Sequence, residues 1–286
     1  MNARQQLIVA ALLFSSGGTA IKACGLDGPT VAAARSAVAA AFLWFAAPHS
    51  RRGVGRDAAW VAVAYAACLA LFATANKLTT AAHAIFLQST SILWVLLLAP
   101  RLLGEPASRR DGLAIAAAAL GLGLLTFGGQ DASTTAPDPA TGNLLALGSG
   151  VAWAAVGLGL RWLARVGANG DGHARAAAAP LLGNALAAAT LAPFATWTGW
   201  TALDVAVVGW LGVAQIGLAY LALTSAASQV PALEASLLLL LEPVVSTALA
   251  ALVHHESPSP PALLGAAILV AGLAAHATSS VPERAP

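Results

Sequence analysis

Two apolar stretches of this chain, residues 84–125 and 235–275, are copies of each other with different flanking charges. At a constant offset of 151 positions the identical pairs include Ala84/Ala235, Leu87/Leu238, Leu98/Leu249, Ala99/Ala250, Glu105/Glu256, Ser108/Ser259 and Gly121/Gly272. The connector of the first copy carries Arg101, Arg109 and Arg110, whereas that of the second carries no Lys or Arg. Because basic loops stay in the cytoplasm, the two copies should lie upside down relative to each other. Such an inverted repeat is typical of secondary transporters, whose binding site lies near mid-membrane between the repeats.

The composition requires a lipid environment. Hydrophobic residues make up 58% of the chain and charged residues 9%, and the mean hydropathy is +0.77. A soluble domain carries about 25% charged residues, so this chain must be an integral membrane protein with the lipid bilayer as its surroundings. The net charge of +2 is confined to specific loops, which predicts no nucleic-acid partner. Cys24 and Cys68 lie in apolar segments and are expected to be buried, without a disulfide or a metal.

The apolar segments predict ten membrane spans, since a helix needs about 20 apolar residues to cross the hydrocarbon core. They cover residues 5–24, 30–47, 57–76, 80–100, 110–128, 142–164, 175–196, 202–228, 231–253 and 261–278. Met1–Cys24 has the basic start of a signal peptide, but Lys22 and the apolar segments that follow favour a first span. The predicted fold class is an all-α polytopic membrane protein with ten transmembrane helices as two inverted five-helix repeats. The repeats occupy residues 1–129 and 142–286.

The distribution of Lys and Arg predicts the orientation. With the N-terminus inside, the cytoplasmic side collects Arg4, Arg51, Arg52, Arg56, Arg101, Arg109, Arg110, Arg161, Arg165, Arg175 and Arg284. The outer side receives Lys77, while Lys22 and Arg35 lie within or at the edge of spans. This bias predicts that both termini are cytoplasmic. An odd number of spans would place Arg284 outside and break the inversion.

The two copies resemble a known family. The segments Leu238–Pro260 (LLLLEPVVSTALAALVHHESPSP) and Leu96–Ser108 (LLLAPRLLGEPAS) resemble the two halves of EamA-type transporters of the drug/metabolite transporter (DMT) superfamily. Gly28–Phe42 resembles the second helix of that family, including its Arg at position 35. The resemblance covers essentially the whole chain and is most similar, within the family, to YddG-type amino-acid exporters. It implies ten helices and solute export across a bacterial inner membrane.

The chain departs from the family pattern at two places. It has Ser91–Ile92 where the second copy has Glu242–Pro243, and His254–His255 where the family tends to show Leu-Gly. Substrate identity therefore does not follow from the resemblance.

Counting depth along the spans predicts a ring of side chains near mid-membrane. Its members are Tyr65, Gln88, Ser91, Trp153, Gln215 and Glu242, from both repeats. An ionisable group at the bilayer centre costs on the order of 3 kcal/mol on insertion scales, so it faces protein or a watery cavity. Ser91 and Glu242 are equivalent at the offset of 151. The ring is predicted to bind the substrate and suits a small zwitterion with an apolar side chain.

Each of these side chains also has a structural interpretation. Gln88 and Gln215 can bond neighbouring helices, and Tyr65 and Trp153 can serve as packing aromatics. Ser91 can bond a carbonyl one turn back. Glu242 precedes Pro243, which frees a backbone carbonyl, so that a protonated Glu242 could satisfy it.

His83 and Glu234 are predicted as gate or proton-coupling residues. They are equivalent in the repeat, but His83 lies near the outer start of span 80–100 and Glu234 near the inner start of span 231–253. His changes charge near neutral pH, and a buried Glu can do the same. The alternative is that both are interfacial polar residues at helix ends. Adjacent residues cannot share one helical face, so His254–Glu256 is not predicted to bind a metal.

The motifs exclude several classes of function. The chain has no P-loop, HExxH or GxSxG sequence, which predicts no direct use of ATP, no catalytic residues and no cofactor. We expect a secondary transporter that exports small metabolites, with amino acids, including aromatic ones, as substrates and a monomer as the working unit. The alternatives are an exporter of another small solute or drug, a channel-like facilitator, an intramembrane enzyme and a structural membrane subunit. A channel would need a continuous polar stripe, and the ring is flanked by Ala and Leu.

Overall fold

The computed structural model of the chain is a bundle of α-helices. It describes residues 1–105, 108–126, 136–166 and 171–254, and single helical positions between 261 and 272. The helices are α1 (Ala3–Ala23), α2 (Gly28–Ala46), α3 (Arg56–Leu78), α4 (Ala81–Ser89), α5 (Ser91–Leu103), α6 (Arg109–Thr126), α7 (Pro139–Val166), α8 (Gly172–Leu191), α9 (Ala202–Trp210), α10 (Ala219–Ala226), α11 (Ala232–Leu239) and α12 (Leu241–His254). A 3₁₀ turn, Pro48–Gly53, connects α2 to α3, and a π-helical segment, Leu211–Leu218, joins α9 to α10.

The helices confirm the predicted fold class. In the described residues, 8 segments are long and apolar enough to cross a membrane. Five of them are the helices α1, α2, α3, α7 and α8, and three are composite: α4 with α5, α9 through α10, and α11 with α12. Helix α6 occupies the predicted span 110–128, whereas the predicted span 261–278 lies largely outside the described residues.

The surface of the bundle is apolar. Phe45, Trp60, Leu113 and Leu252 are largely exposed, as are many other large hydrophobic side chains. Soluble proteins rarely show contiguous apolar surface on this scale. Helices that span lipid require it, because their backbone groups are satisfied internally and only side chains meet the hydrocarbon.

Polar contacts show which helix termini lie at the same end of the bundle. Arg4, at the start of α1, pairs with Glu234 in the first turn of α11, with an Nε–Oε1 distance of 2.7 Å. Arg161, near the end of α7, pairs with Glu105, which follows α5, at 2.8 Å. We call this end, where α1 and α11 begin and α5 and α7 end, the basic end.

The other end of the bundle is defined in the same way. Lys77, in the last turn of α3, donates from Nζ to the Cys24 carbonyl after α1 at 2.8 Å. The carboxylate of Asp204, in the first turn of α9, accepts from the Gly25 N–H at 2.8 Å. Helix α4 begins here, directly after α3, whereas its repeat counterpart α11 begins at the basic end. The two copies therefore run in opposite directions.

Small residues let the helices approach closely. A Cβ atom on Gly183 of α8 would lie 2.5 Å from the Tyr65 ring of α3. A Cβ on Gly159 of α7 would lie 2.7 Å from Val61, also in α3. Helices associate in lipid mainly through such close packing. The contacts hold α3 against the helices of the second repeat.

The composite spans are interrupted near their midpoints, although the sequence predicted one helix over each of 80–100, 202–228 and 231–253. One tight turn at Thr90 separates α4 from α5, and one at Leu240 separates α11 from α12. Pro243 has no N–H, so the Leu239 carbonyl loses its helical partner. In the first repeat, the Thr90 hydroxyl donates to the Leu87 carbonyl at 2.6 Å and tightens the turn.

Candidate functional site

A cavity lies at the level of these interruptions, between the two repeats. It encloses about 380 Å³, including the part open to solvent. Its wall consists of Phe14, Arg35, Cys68, Leu69, Phe72 and Gln88 from the first repeat, and Trp153, Gln215, Ile216, Tyr220 and Glu242 from the second. We call it the central cavity.

Four of the six residues in the predicted ring line the central cavity: Gln88, Trp153, Gln215 and Glu242. Three of these four lie at helix irregularities. Gln88 is in the last turn of α4, Glu242 in the first turn of α12, and Gln215 in the π-helical segment. π-helical turns and broken membrane helices are common at binding sites, because they turn side chains and backbone groups toward a cavity.

The two amide side chains of the cavity are held differently. Gln88 donates from Nε2 to the Cys68 sulfur at 3.6 Å. Gln215 lies against α1, where a Cβ on Gly17 would come within 2.9 Å of its Nε2 atom. The Oε1 atom of Gln215 is buried without a hydrogen-bond partner. A buried acceptor without a partner costs about 1–3 kcal/mol, so this oxygen is available to a polar ligand.

Aromatic rings form one side of the cavity. Tyr220 meets Phe14, Tyr65 and Trp153 edge to face, with ring centroids 5.2, 4.7 and 6.2 Å away. Tyr65 itself is behind the wall, where its hydroxyl accepts from Asn184 at 3.1 Å. The structure therefore places Tyr65 as a support for Tyr220, and Tyr220 in contact with the cavity. We call these four rings the aromatic cluster.

Ser91 lies beside a second cavity of about 510 Å³, which we call the basal cavity. This space also touches Leu7 and Arg161, which lie toward the basic end, and its remaining wall is mainly apolar. Trp153 lines both cavities and stands between them. Glu242 is in the central cavity, so the two repeat-equivalent residues Ser91 and Glu242 face different spaces. The basal cavity is the less polar one, whereas Arg35 and Glu242 both line the central cavity.

Arg35 is the functional candidate that sequence analysis missed. The predicted span 30–47 placed it near an edge, but α2 begins at Gly28, so Arg35 lies two turns inside the helix. Its side chain is 1% exposed and lines the central cavity. The sequence did carry a signal, because placing one Arg in an otherwise apolar membrane helix costs free energy and therefore indicates a functional site.

The predicted gate residues lie at opposite ends of the bundle and outside both cavities. His83, in the first turn of α4, makes a 3.0 Å contact through Nδ1 with the Thr80 hydroxyl, which caps the helix. Glu234 pairs with Arg4 at the basic end. This ion pair joins the start of the first repeat to the second. Neither His83 nor Glu234 lines the central or the basal cavity.

A second set of polar contacts at the basic end centres on Glu105. Its Oε1 atom accepts from Arg161 Nε at 2.8 Å and Arg165 Nη1 at 3.0 Å, and its Oε2 atom accepts from the Ala232 N–H at 2.9 Å. Gly104, with φ of 65°, ends α5 in the left-handed conformation and turns Glu105 inward. We call these residues the Glu105 cluster.

The Glu105 cluster joins the first repeat to two helices of the second, and sequence analysis did not select it. The repeat itself carried a signal, because Glu105 is one of the identical pairs. Its counterpart Glu256, together with His255, lies outside the described residues.

An apolar helical bundle with two inverted halves and a polar cavity between them defines a membrane transport protein. The chain matches the sequence profile of the EamA-like transporter family twice, over residues 5–127 and 140–277. It belongs to this family, and it is therefore a membrane transporter of small solutes. The resemblance to EamA-type transporters and the two-repeat architecture are confirmed.

Several solved structures share the fold. One of them, a crystal structure, is 22% identical to this chain, the similarity covers 97% of this chain and 99% of the other, and the TM-score is 0.74. No functionally curated protein matches the chain significantly.

Proposed function

We propose that this protein exports amino acids, including aromatic ones, from the cytoplasm by alternating access, without direct use of ATP. The observation that carries the proposal is the wall of the central cavity. It combines one carboxylate and two amides, which lie at helix irregularities, with an indole from α7, and both repeats contribute. A small zwitterion with an apolar side chain complements such a wall: its polar groups meet Glu242, Gln88 and Gln215, and its side chain meets the aromatic cluster.

Alternating access requires contacts that close one end of the bundle and can be broken. The Glu105 cluster and the Arg4–Glu234 pair meet this requirement at the basic end, because both join the first repeat to the second. Charged pairs also exchange readily with water when the end opens. His83 and Glu234 retain their proposed role as gate or proton-coupling residues at the two ends.

The direction of transport depends on orientation. We propose that both termini are cytoplasmic and that the membrane is a bacterial inner membrane, since the basic end carries most of the arginines. Reporter fusions after Ser133 should read outside and fusions after Gly170 inside. Opposite readings at both sites would reverse the orientation. A shared reading would remove the inversion.

Counterflow in proteoliposomes tests the proposed substrate. Vesicles loaded with an unlabelled amino acid should accumulate the labelled one transiently, and phenylalanine should be among the active substrates. Trp153→Ala should reduce counterflow of aromatic substrates more than that of small aliphatic ones, because the indole forms the wall beside the substrate. Trp153→Phe is the matched control and should retain most of the rate. If phosphorylated compounds or cationic drugs drive counterflow and amino acids do not, the substrate assignment is wrong.

An exporter of a different solute has one observation in its favour. The basal cavity is mainly apolar, as a hydrophobic drug would require. The same counterflow panel decides between the two, because an apolar compound that does not compete with amino acids would assign this space to another substrate. A channel-like facilitator would show no transient accumulation at all.

A further inference from the structure

Arg35 is buried inside an apolar bundle, and no described residue forms an ion pair with it. Its side chain is 1% exposed. Ion pairs between described residues involve Arg4, Arg161, Arg165 and Arg175, all at the basic end, and none includes Arg35. An arginine remains protonated under all physiological conditions, so the positive charge persists inside the protein.

The hydrogen bonds of Arg35 leave part of its guanidinium unused. Nη2 donates to the Leu69 carbonyl of α3 at 3.3 Å, which is a long hydrogen bond. The Nε atom is buried without a hydrogen-bond partner. A structural role alone would leave this charge uncompensated, and charges at this depth normally pair with something. Because no described residue forms an ion pair with it, the guanidinium can accept an anion from outside the protein.

The central cavity supplies the place for that anion. Arg35 lines it together with Glu242, so one space presents a fixed cation and a carboxylate. The unpartnered Oε1 of Gln215 belongs to the same wall. A single dipolar molecule can satisfy all three groups, because guanidinium prefers carboxylate and a carboxylate prefers ammonium.

We propose that Arg35 binds the carboxylate of the substrate, while Glu242 and Gln215 bind its ammonium group. This inference rests on the proposed transport of amino acids and deepens it. The substrate class becomes molecules that carry a free carboxylate and a free ammonium group together, and amides, esters and amines are excluded. Arg35 is then a specificity-determining residue, and its guanidinium gains a directly paired carboxylate when substrate binds.

The test compares ligands that each lack one charge. Purified protein in proteoliposomes is assayed for phenylalanine counterflow in competition with phenylalanine amide, which lacks the carboxylate, and with 3-phenylpropionate, which lacks the ammonium group. Thermal stabilisation of the detergent-solubilised protein by the same ligands provides a second measure that does not need turnover. Wild-type protein should prefer phenylalanine over the amide by about tenfold or more, the value of a lost charge-assisted hydrogen bond.

Variants separate recognition from structure. Arg35→Gln should lose most of the preference for phenylalanine over the amide, and Arg35→Lys should retain part of it. Glu242→Gln should show the reciprocal result, losing discrimination against 3-phenylpropionate while it still rejects the amide. A structural Arg35 would weaken all ligands equally, leaving their ratio unchanged, and that result overturns the assignment.

The wild type keeps the proposal falsifiable if Arg35→Gln fails to fold. Equal binding of phenylalanine and its amide by wild-type protein overturns the role of Arg35 without any variant. Different results would exclude the role of Arg35 and the proposed transport of amino acids. If the protein transports amino acids but does not discriminate against amides, only the role of Arg35 is wrong. If it transports no amino acids, the proposed function and this inference are both wrong.

Discussion

Among single residues, Glu242 is the one whose position matters most for the proposed function. It is 8% exposed and lies beside Pro243, where it could have served only to satisfy the carbonyl that the proline frees. The structure instead gives it a place on the wall of the central cavity. A carboxylate in this position can bind a substrate ammonium group or carry a proton.

Glu242→Gln should lower the initial rate of amino-acid export by about tenfold or more, because a neutral amide forms a weaker bond with an ammonium group. Rates are measured in proteoliposomes between about pH 5.5 and 8. Glu234→Gln removes the other proposed proton-coupling carboxylate, which lies outside the cavity, and should leave substrate selectivity unchanged. Normal rates and pH profiles in both variants would reduce Glu242 to a helix cap and exclude carboxylate-based proton coupling.

The depth of a residue along a span can be counted in the sequence, so cavity residues near mid-membrane could be predicted. Gln88, Trp153, Gln215 and Glu242 were selected in this way and share one cavity. Arg35 was missed because the span was started two residues late. Tyr65 and Ser91 are at suitable depth but face away from the central cavity, because depth does not say which way a side chain points.

Interruptions of the helices organise the molecule at the scale of elements. Pro243 made the break before α12 foreseeable, but its equivalent at Thr90 has no proline. There, a hydroxyl–carbonyl bond and the close approach of Gly150, whose Cβ would lie 2.9 Å from the Gln88 carbonyl, accompany the same break. The π-helical segment has no sequence marker at all. Hydrophobic periodicity predicts that a span exists but does not predict where its hydrogen-bond pattern changes.

The Glu105 cluster yields a prediction about the basic end. Glu105→Gln should weaken the junction between the repeats, because a neutral acceptor holds two guanidinium groups less strongly. In a Cys24→Ala background, Cys68 is the one thiol of the chain and lies on the wall of the central cavity. A membrane-impermeant thiol reagent applied at the basic end should therefore modify Cys68 several times faster in Glu105→Gln than in the parent.

The control for this prediction is a different ion pair at the same end. Asp57 pairs with Arg175 at 3.3 Å, but both side chains are substantially exposed. Exposed pairs contribute little, so Asp57→Asn should leave the labelling rate of Cys68 unchanged. Equal rates in Glu105→Gln and the parent would show that the Glu105 cluster does not restrict access to the cavity.

Inversion of the two repeats explains the molecule as a whole. The charge difference between the two connectors predicted the inversion, and α4 and α11 run in opposite directions in the structure. Because the two halves run in opposite directions, equivalent residues lie at opposite ends of the bundle. His83 and Glu234 are one such pair. The exact limits of the repeats, 1–129 and 142–286, and the monomeric working unit stay predictions. What the sequence could not provide is how the halves meet, because that depends on which small residues, such as Gly183 and Gly159, face a neighbouring helix.

We propose that one cavity between the repeats opens to one side at a time. To test this, two cysteines replace the Arg4–Glu234 pair in the Cys24→Ala background, and a short bifunctional thiol reagent joins them and locks the basic end. The measurement is the side from which an impermeant thiol reagent reaches Cys68, with the modified residue located by peptide mapping because the introduced cysteines can also react. Alternating access predicts labelling of Cys68 from the opposite end alone in the cross-linked protein, and from both ends without the cross-link. Labelling of Cys68 from the basic end while the cross-link is intact would overturn it.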